Sequence, residues 1–165
     1  LHPGEADTEL GAAVTPALVE RLLNRARPDF LQYDCKGHPG LLGYPGSAVG
    51  PSAPGIRRDA LAVYRRVTAR RGVPLYVHFS GLWDRAAVTA HPDWAVVMPD
   101  GKPNAEAAST FGDYARLRMV PQMIEILDRF NVDGFWVDGD CWALHLDHHP
   151  EALRRFRDLT GSDPP

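Results

Sequence analysis

The apolar positions of the chain fall into stretches of two alternating periods, one near 3.6 and one of 2, separated by segments rich in Gly and Pro. Residues 1–14 carry Pro3, Gly4 and Gly11 without a period and read as loop. Thr15 then offers a helix N-cap and Pro16 suits the first helical position. Leu18, Leu22, Leu23 and Ala26 line one face, and Pro28 stops the helix. Residues 30–33 (FLQY) read as a short strand running into Asp34, and residues 35–58 as a long irregular connection. The same succession returns. The pattern predicts a helix over 59–71 with Leu61, Tyr64 and Val67 on one face and Gly72 at its C-terminal end. A strand over 74–79 (PLYVHF) and a second long loop over about 80–112 follow. A third helix spans about 113–130, with Leu117, Val120, Ile124 and Leu127 as its apolar face; Pro121 predicts a kink or two abutting segments. A third strand covers 134–137 and ends at Asp138, and a last helix over about 150–160 carries Leu153, Phe156 and Leu159 before Gly161.

Strands alternating with amphipathic helices imply parallel pairing with right-handed crossovers, hence an α/β fold. The connections before the strands are short (28–29, 72–73, 131–133), whereas those after them are long. In a (β/α)8 TIM barrel the loops after the strands build the active face. Three strands cannot close such a barrel, for which roughly 250 residues is typical. The expectation is therefore that residues 1–165 form part of one TIM-barrel catalytic domain, about strands two to four with flanking helices, truncated at both ends. Its partner would then be the remainder of the barrel in the parent chain. A flavodoxin-like sheet is the rival, but no Gly-rich phosphate turn follows a strand.

Residues two apart on a strand share a face. One set is Phe30, Gln32 and Asp34, then Tyr76, His78 and Ser80, then Trp136 and Asp138. The other is Leu31 and Tyr33, then Leu75, Val77 and Phe79, then Phe135 and Val137. The second set is apolar or aromatic, as a layer beneath helices requires. The first becomes polar toward the C-terminal ends, as the inner face of a barrel does near its ligand. Parity thus makes neighbours of Asp34, His78 and Asp138, with the His78 strand in the middle.

Composition narrows the function classes. Fifteen Gly and fifteen Pro among 165 residues make a loop-rich chain, while 44% apolar and 24% charged residues are ordinary for a globular protein. A net charge of −3 provides no basic field for nucleic acid, and no apolar run reaches membrane-spanning length. The start at Leu1 shows no leader and suits an internal piece of a longer protein. Cys35 and Cys141 lack a C-x-x-C spacing and read as free thiols.

The segment VDGFWVDGDCW (132–142) is the most informative. Asp133 precedes its strand, where a turn or capping role is the default, whereas Asp138 ends it at the top of a barrel. A glycosidase needs such a carboxylate as nucleophile or as electrostatic partner of an oxocarbenium-like transition state, with a second carboxyl as acid. WVDG after a GF strand resembles the fourth-strand WFDG-type motif of α-L-fucosidase-like glycoside hydrolases. The stretches YDCKGHPG (33–40), YVHFSGLWD (76–84), HPDW (91–94) and DGKP (100–103) look like bacterial relatives of that group. The resemblance implies a TIM-barrel retaining glycosidase acting on a carbohydrate substrate without a cofactor, with Asp138 as nucleophile; it identifies no residue as the acid.

Substrate contacts are expected from Asp34, Lys36 and His38 in the first long loop, and from His78, which parity turns inward. Trp83 and Trp142 are candidates for stacking on a sugar face, and Asp140 for orienting Asp138 or binding a hydroxyl; Trp136 is expected in the core. Asp84 and Asp93 read as surface or capping residues, and His2 as the top of a preceding strand. His145, His148 and His149 beside Asp147 form a cluster, but H-x-x-H-H in one loop matches no metal-site spacing, so no metal is assigned. Two alternatives stand beside the glycosidase: a metal-dependent barrel hydrolase using that cluster, and a non-catalytic carbohydrate-binding barrel.

Overall fold

Thr15 begins the first helix as expected, its hydroxyl accepting the Leu18 N–H ahead of α1 (Pro16–Ala26). The structure is a computed structural model that describes residues 3–138 and 146–164. Asp59 caps α2 (Ala60–Arg71) through the Ala62 N–H, and Gly72 ends it at φ 62°, a left-handed conformation that costs Gly little. Three parallel strands, β1 (Leu31–Lys36), β2 (Leu75–Ser80) and a last one, Gly134–Asp138, form one sheet with β2 in the middle. Leu31 pairs with Leu75, Asp34 with His78, His78 with Trp136 and Ser80 with Asp138. This is the mixed α/β arrangement that the alternating periods imply.

The strands and the third helix depart from expectation in instructive ways. β1 runs three residues further than the pattern suggests, so Asp34 and Lys36 belong to the strand and not to the loop. Residues 80–112 are not an irregular loop. They hold α3 (Arg85–Ala90), a 3-10 turn (Pro92–Trp94) and an antiparallel pair, β3 (Ala95–Val97) with β4 (Pro103–Ala108). These elements are too short for a period to stand out, and Leu82, Val88, Trp94 and Tyr114 give them a core of their own. At Pro121 the expected break occurs. A π-helical turn (Ala115–Met119) abuts α4 (Val120–Phe130), placing the proline in the first turn of α4, where its missing N–H is tolerated. β5 (Gly134–Asp138) and α5 (Pro150–Thr160) complete the chain.

One face of the sheet is covered. Leu75, Val77 and Phe79 are wholly buried against Leu61 of α2 and Ile126 and Phe130 of α4, with Cys35, Leu42 and Tyr44 closing the cluster. Leu31, Tyr33 and Phe135 pack on its margin. Burial pushes the Cys35 thiol far up, so it stays protonated. The opposite face is open. Trp136 is 60% exposed, which corrects the expectation of core packing, and a hollow of about 240 Å³ lies among Phe30, Gln32, Tyr76, Phe135 and Trp136. Val137, expected under helices, is 36% exposed because, among the described residues, no strand pairs with β5 beyond β2.

Several expected helix faces also turn outward. In α1 the buried pair is Val19 and Leu23, which meet Val63 and Val67 of α2. Leu22 and Ala26 instead face a hollow of about 610 Å³ beside β1, the outer strand of the sheet among the described residues. In α4 the buried residues are Gln122, Ile126 and Phe130, whereas Leu117, Val120, Ile124 and Leu127 are exposed. Phe156 and Leu159 of α5 are exposed as well. No helix among the described residues is long and apolar enough to cross a membrane.

The connection 37–58 is packed, not solvated. Leu42 exchanges backbone hydrogen bonds with Pro51 and Ala53, and the Glu125 carboxylate of α4 accepts from the Tyr44 and Ser47 hydroxyls and the Ala48 N–H. Burial raises the Glu125 pKa, but these donors and Arg129 outweigh it and hold the carboxyl below its ordinary value. A depressed folded value means that the stabilisation is present above the unfolded carboxylate pKa and is lost as pH falls through the folded one.

Glu125→Ala is expected to cost about 1–2 kcal/mol locally and to open residues 44–50 about 5–30 times more often. Limited proteolysis at neutral pH should show faster cleavage in that segment, and acidification should produce the same effect in the wild type; equal cleavage rates would refute the anchor. Expressed by itself, the 165-residue chain is expected to associate through its open strand edges and the exposed α4 face. A monomer in sedimentation velocity with a sharp reversible unfolding transition would count against this.

Candidate functional site

The polar ends of the inner-face set converge at the C-terminal ends of β1, β2 and β5. His78 lies on the central strand and is only 8% exposed. Its Nδ1 is 2.8 Å from Asp34 Oδ1 on one side, and its Nε2 is 3.0 Å from Asp138 Oδ2 on the other. Asp34 is level with His78 in the register, and Asp138 lies one inward step further along β5. Both carboxylates keep part of their surface exposed. A carboxylate only accepts, so each contact requires a proton on the ring nitrogen or on the carboxyl. The trio thus combines a shielded imidazole with two carboxylates that reach solvent.

A second group flanks it. His38 Nδ1 lies 2.8 Å from Ser80 Oγ, and the Ser80 hydroxyl donates to the Trp83 carbonyl at 2.9 Å. With that proton committed, the His38 N–H is the donor to Ser80. The His38 and Trp83 rings lie 5.8 Å apart and tilted, so an imidazole and an indole stand together at the end of β2. Both are half-buried.

Lys36 corrects the expectation of a sugar contact. A bulge after Asp34 turns it into the protein, where it is fully buried. Its ammonium lies 2.9 Å from Asp84 Oδ2 and donates to the Ser80 carbonyl and the Tyr114 hydroxyl oxygen, each at 2.9 Å. Burial pulls the Lys36 pKa down, and the Asp84 charge opposes that pull. Asp84 is buried too. It caps α3 through the Ala87 N–H, as a capping residue should, and its other oxygen serves Lys36 and Tyr114. Gly40 passes so close to Asp84 Oδ1 that a Cβ there would collide with it. This ion pair fastens the end of β1 to the segment 80–84 that carries Ser80 and Trp83. Ser80 had a signal in the strand parity; Tyr114 had none, because its partner lies 30 residues away.

The other candidates separate cleanly. Asp133 sits at the opposite end of β5, accepts the Leu75 N–H and pairs with Arg65, a connecting role. His149 caps α5 through the Glu151 N–H, and the His148 N–H donates to the Val97 carbonyl. Asp147 accepts from the Val97 N–H and the Ser109 hydroxyl. Among the described residues no three His, Cys, Asp or Glu side chains converge as a metal site would need. His2, Asp140, Cys141, Trp142 and His145 lie outside the described residues.

Comparison with known proteins adds a fold likeness. No family model matches the chain, and no curated protein is similar to it in sequence. Among solved structures, the α-L-fucosidase isoenzyme 2 from Paenibacillus thiaminolyticus superposes with a TM-score of 0.80 at 18% identity, covering 99% of this chain and 26% of that one. The α-L-fucosidase from Vibrio sp. strain EJY3 superposes with a TM-score of 0.60 at 17% identity, covering 94% of this chain and 26% of that one. The chain therefore shares its fold with a piece of these glycoside hydrolases and spans about a quarter of their length.

Lys36→Met is expected to destabilise the protein by about 3 kcal/mol or more, because it strands a buried Asp84. The double variant Lys36→Met/Asp84→Asn should recover much of that loss in denaturant titrations. Additive losses would show that the pair is not coupled.

Proposed function

We propose that the chain is part of a retaining glycoside hydrolase of the α-L-fucosidase kind, with Asp138 as its nucleophile. The observation that carries this reading is the placement of Asp138: a part-exposed carboxylate at the C-terminal end of a parallel strand, held beside His78 and Asp34 on the inner face. Active residues of (β/α)8 enzymes sit at strand ends of this kind. The fold likeness to the two fucosidases supports the same reading. So does the open inner face, where Phe30, Tyr76 and Trp136 are exposed as they would be before the other strands of a barrel close over them. In this proposal β1, β2 and β5 are about strands two to four of that barrel, and the rest of the parent chain covers the free edges.

The chemistry follows from one carboxylate oxygen. Asp138 attacks the anomeric carbon as the bond to the leaving oxygen breaks, and a carboxylic acid from the remainder of the barrel protonates that oxygen. Water then attacks the same carbon, gives its proton to the acid's conjugate base and restores the Asp138 carboxylate. Retention places the two carboxyl groups about 5–5.5 Å apart. His38 and Trp83 are the described residues placed to meet a sugar, their rings by contact with its apolar face. Asp140 and Trp142 extend this set just beyond Asp138 in sequence. Lys36 supports it from beneath.

In the full-length protein, Asp138→Asn is expected to reduce hydrolysis of 4-nitrophenyl α-L-fucoside by about 10³-fold or more while leaving the melting temperature near that of the wild type. Azide should restore turnover in Asp138→Gly by replacing the missing nucleophile. Wild-type rates in Asp138→Asn would remove the assignment, and sugar binding without hydrolysis in the wild type would favour a binding barrel instead.

A further inference from the structure

We infer that His78 is a positioning residue for Asp138, and Asp34 the residue that orients His78, rather than two sugar ligands. The inference rests on the reading of Asp138 as nucleophile. Both ring nitrogens of His78 are within hydrogen-bond distance of a carboxylate, and the ring is shielded from solvent. A sugar hydroxyl would have to displace Asp34 or Asp138 to reach either nitrogen. Histidine on an inner strand face is therefore engaged with the protein on both sides.

The geometry has a direct consequence for attack. Asp138 Oδ2 is the oxygen facing His78 Nε2, so the ring restrains one oxygen of the carboxylate. Holding one oxygen fixes the rotation of the carboxylate, and an attacking atom misplaced by an ångström costs orders of magnitude in rate. The imidazole needs its own restraint to do this. Asp34, across the β1–β2 pairing, receives the other ring edge and sets the plane of the imidazole. The arrangement follows the logic of a carboxylate that orients a histidine, which in turn acts on a nucleophile. Here the last member is itself a carboxylate, so the histidine orients it and does not activate it by taking a proton. Asp34 from β1 and Asp138 from β5 both face the ring across the sheet.

The test compares full-length wild type, Asp138→Asn, His78→Leu and His78→Gln. Turnover of 4-nitrophenyl α-L-fucoside is followed, L-fucose affinity is measured by calorimetry, and each variant is crystallised. His78→Leu is expected to lower kcat about 100-fold with L-fucose affinity changed less than about threefold, and His78→Gln, which keeps an N–H donor, to recover about tenfold of that loss. The crystal structures should show the Asp138 carboxylate rotated away in the leucine variant and retained in the glutamine variant. A loss confined to L-fucose affinity, an unchanged kcat, or an unmoved Asp138 carboxylate in His78→Leu overturns the role of His78. If the leucine variant does not fold, Asp34→Asn decides: about a tenfold fall in kcat with a turned His78 ring supports the inference, and an unchanged ring and rate overturn it. Wild-type turnover in Asp138→Asn, by contrast, removes the nucleophile assignment itself. Should the probe not be cleaved at all, the position of the Asp138 carboxylate in the His78 variants still decides the positioning role.

Discussion

The register of β2 between β1 and β5 is the constraint on which the rest of the structure depends. Side chains on a strand alternate between faces, so one register fixes at once which residues enter the core and which meet at the inner face. In the observed pairing, Leu75, Val77 and Phe79 fill the space beneath α2 and α4, and Tyr76, His78 and Ser80 face the other way. A shift by one residue would bury the imidazole beneath the helices and expose Leu75, Val77 and Phe79. The burial that stabilises the sheet therefore also brings Asp34, His78 and Asp138 together.

Around that trio the protein uses charge in two different ways. Asp34 and Asp138 flank the shielded His78 ring and retain contact with solvent. Lys36 and Asp84 have no such contact and depend on each other and on the Tyr114 hydroxyl. A buried pair of this kind adds little net stability compared with apolar side chains, but breaking it is costly, so it locks one arrangement of the surrounding loops. The locked segment is the one carrying Ser80 and Trp83. Glu125 does the corresponding work on the other side, fastening residues 44–48 to α4. The loops at the strand ends are thus held by side chains more than by secondary structure of their own.

The open surfaces have a common cause. Among the described residues the sheet has unpaired edges at β1 and β5, its uncovered face carries exposed aromatic rings, and α4 presents a second apolar stripe away from the core. A helix of amphipathic sequence was expected to bury Leu117, Val120, Ile124 and Leu127, but α4 meets the sheet through Ile126 and Phe130. Apolar residues therefore run round more of the helix than a single packing face needs. That is the pattern of a helix with neighbours on two sides.

Much of this was legible along the chain. The order of helices and strands, Thr15 and Asp59 as caps, Gly72 as a helix end, the break at Pro121 and the common face of Asp34, His78 and Asp138 follow from local propensity and the period of two, and the central place of the His78 strand from the sequential pairing of parallel strands. Those signals are local, because capping, backbone strain and side-chain alternation involve residues a few positions apart. What tertiary structure alone decided is of another kind. Whether Lys36 faced a ligand or an ion pair turned on a bulge and on Asp84, 48 positions away. The short elements between Ser80 and Gly112 are held by packing against Tyr114, and no periodicity announces them. Which stripe of α1 or α4 is buried depends on the neighbour that arrives, and that neighbour comes from a distant part of the chain. Periodicity identifies a face that can be buried; only the assembled sheet determines which face is.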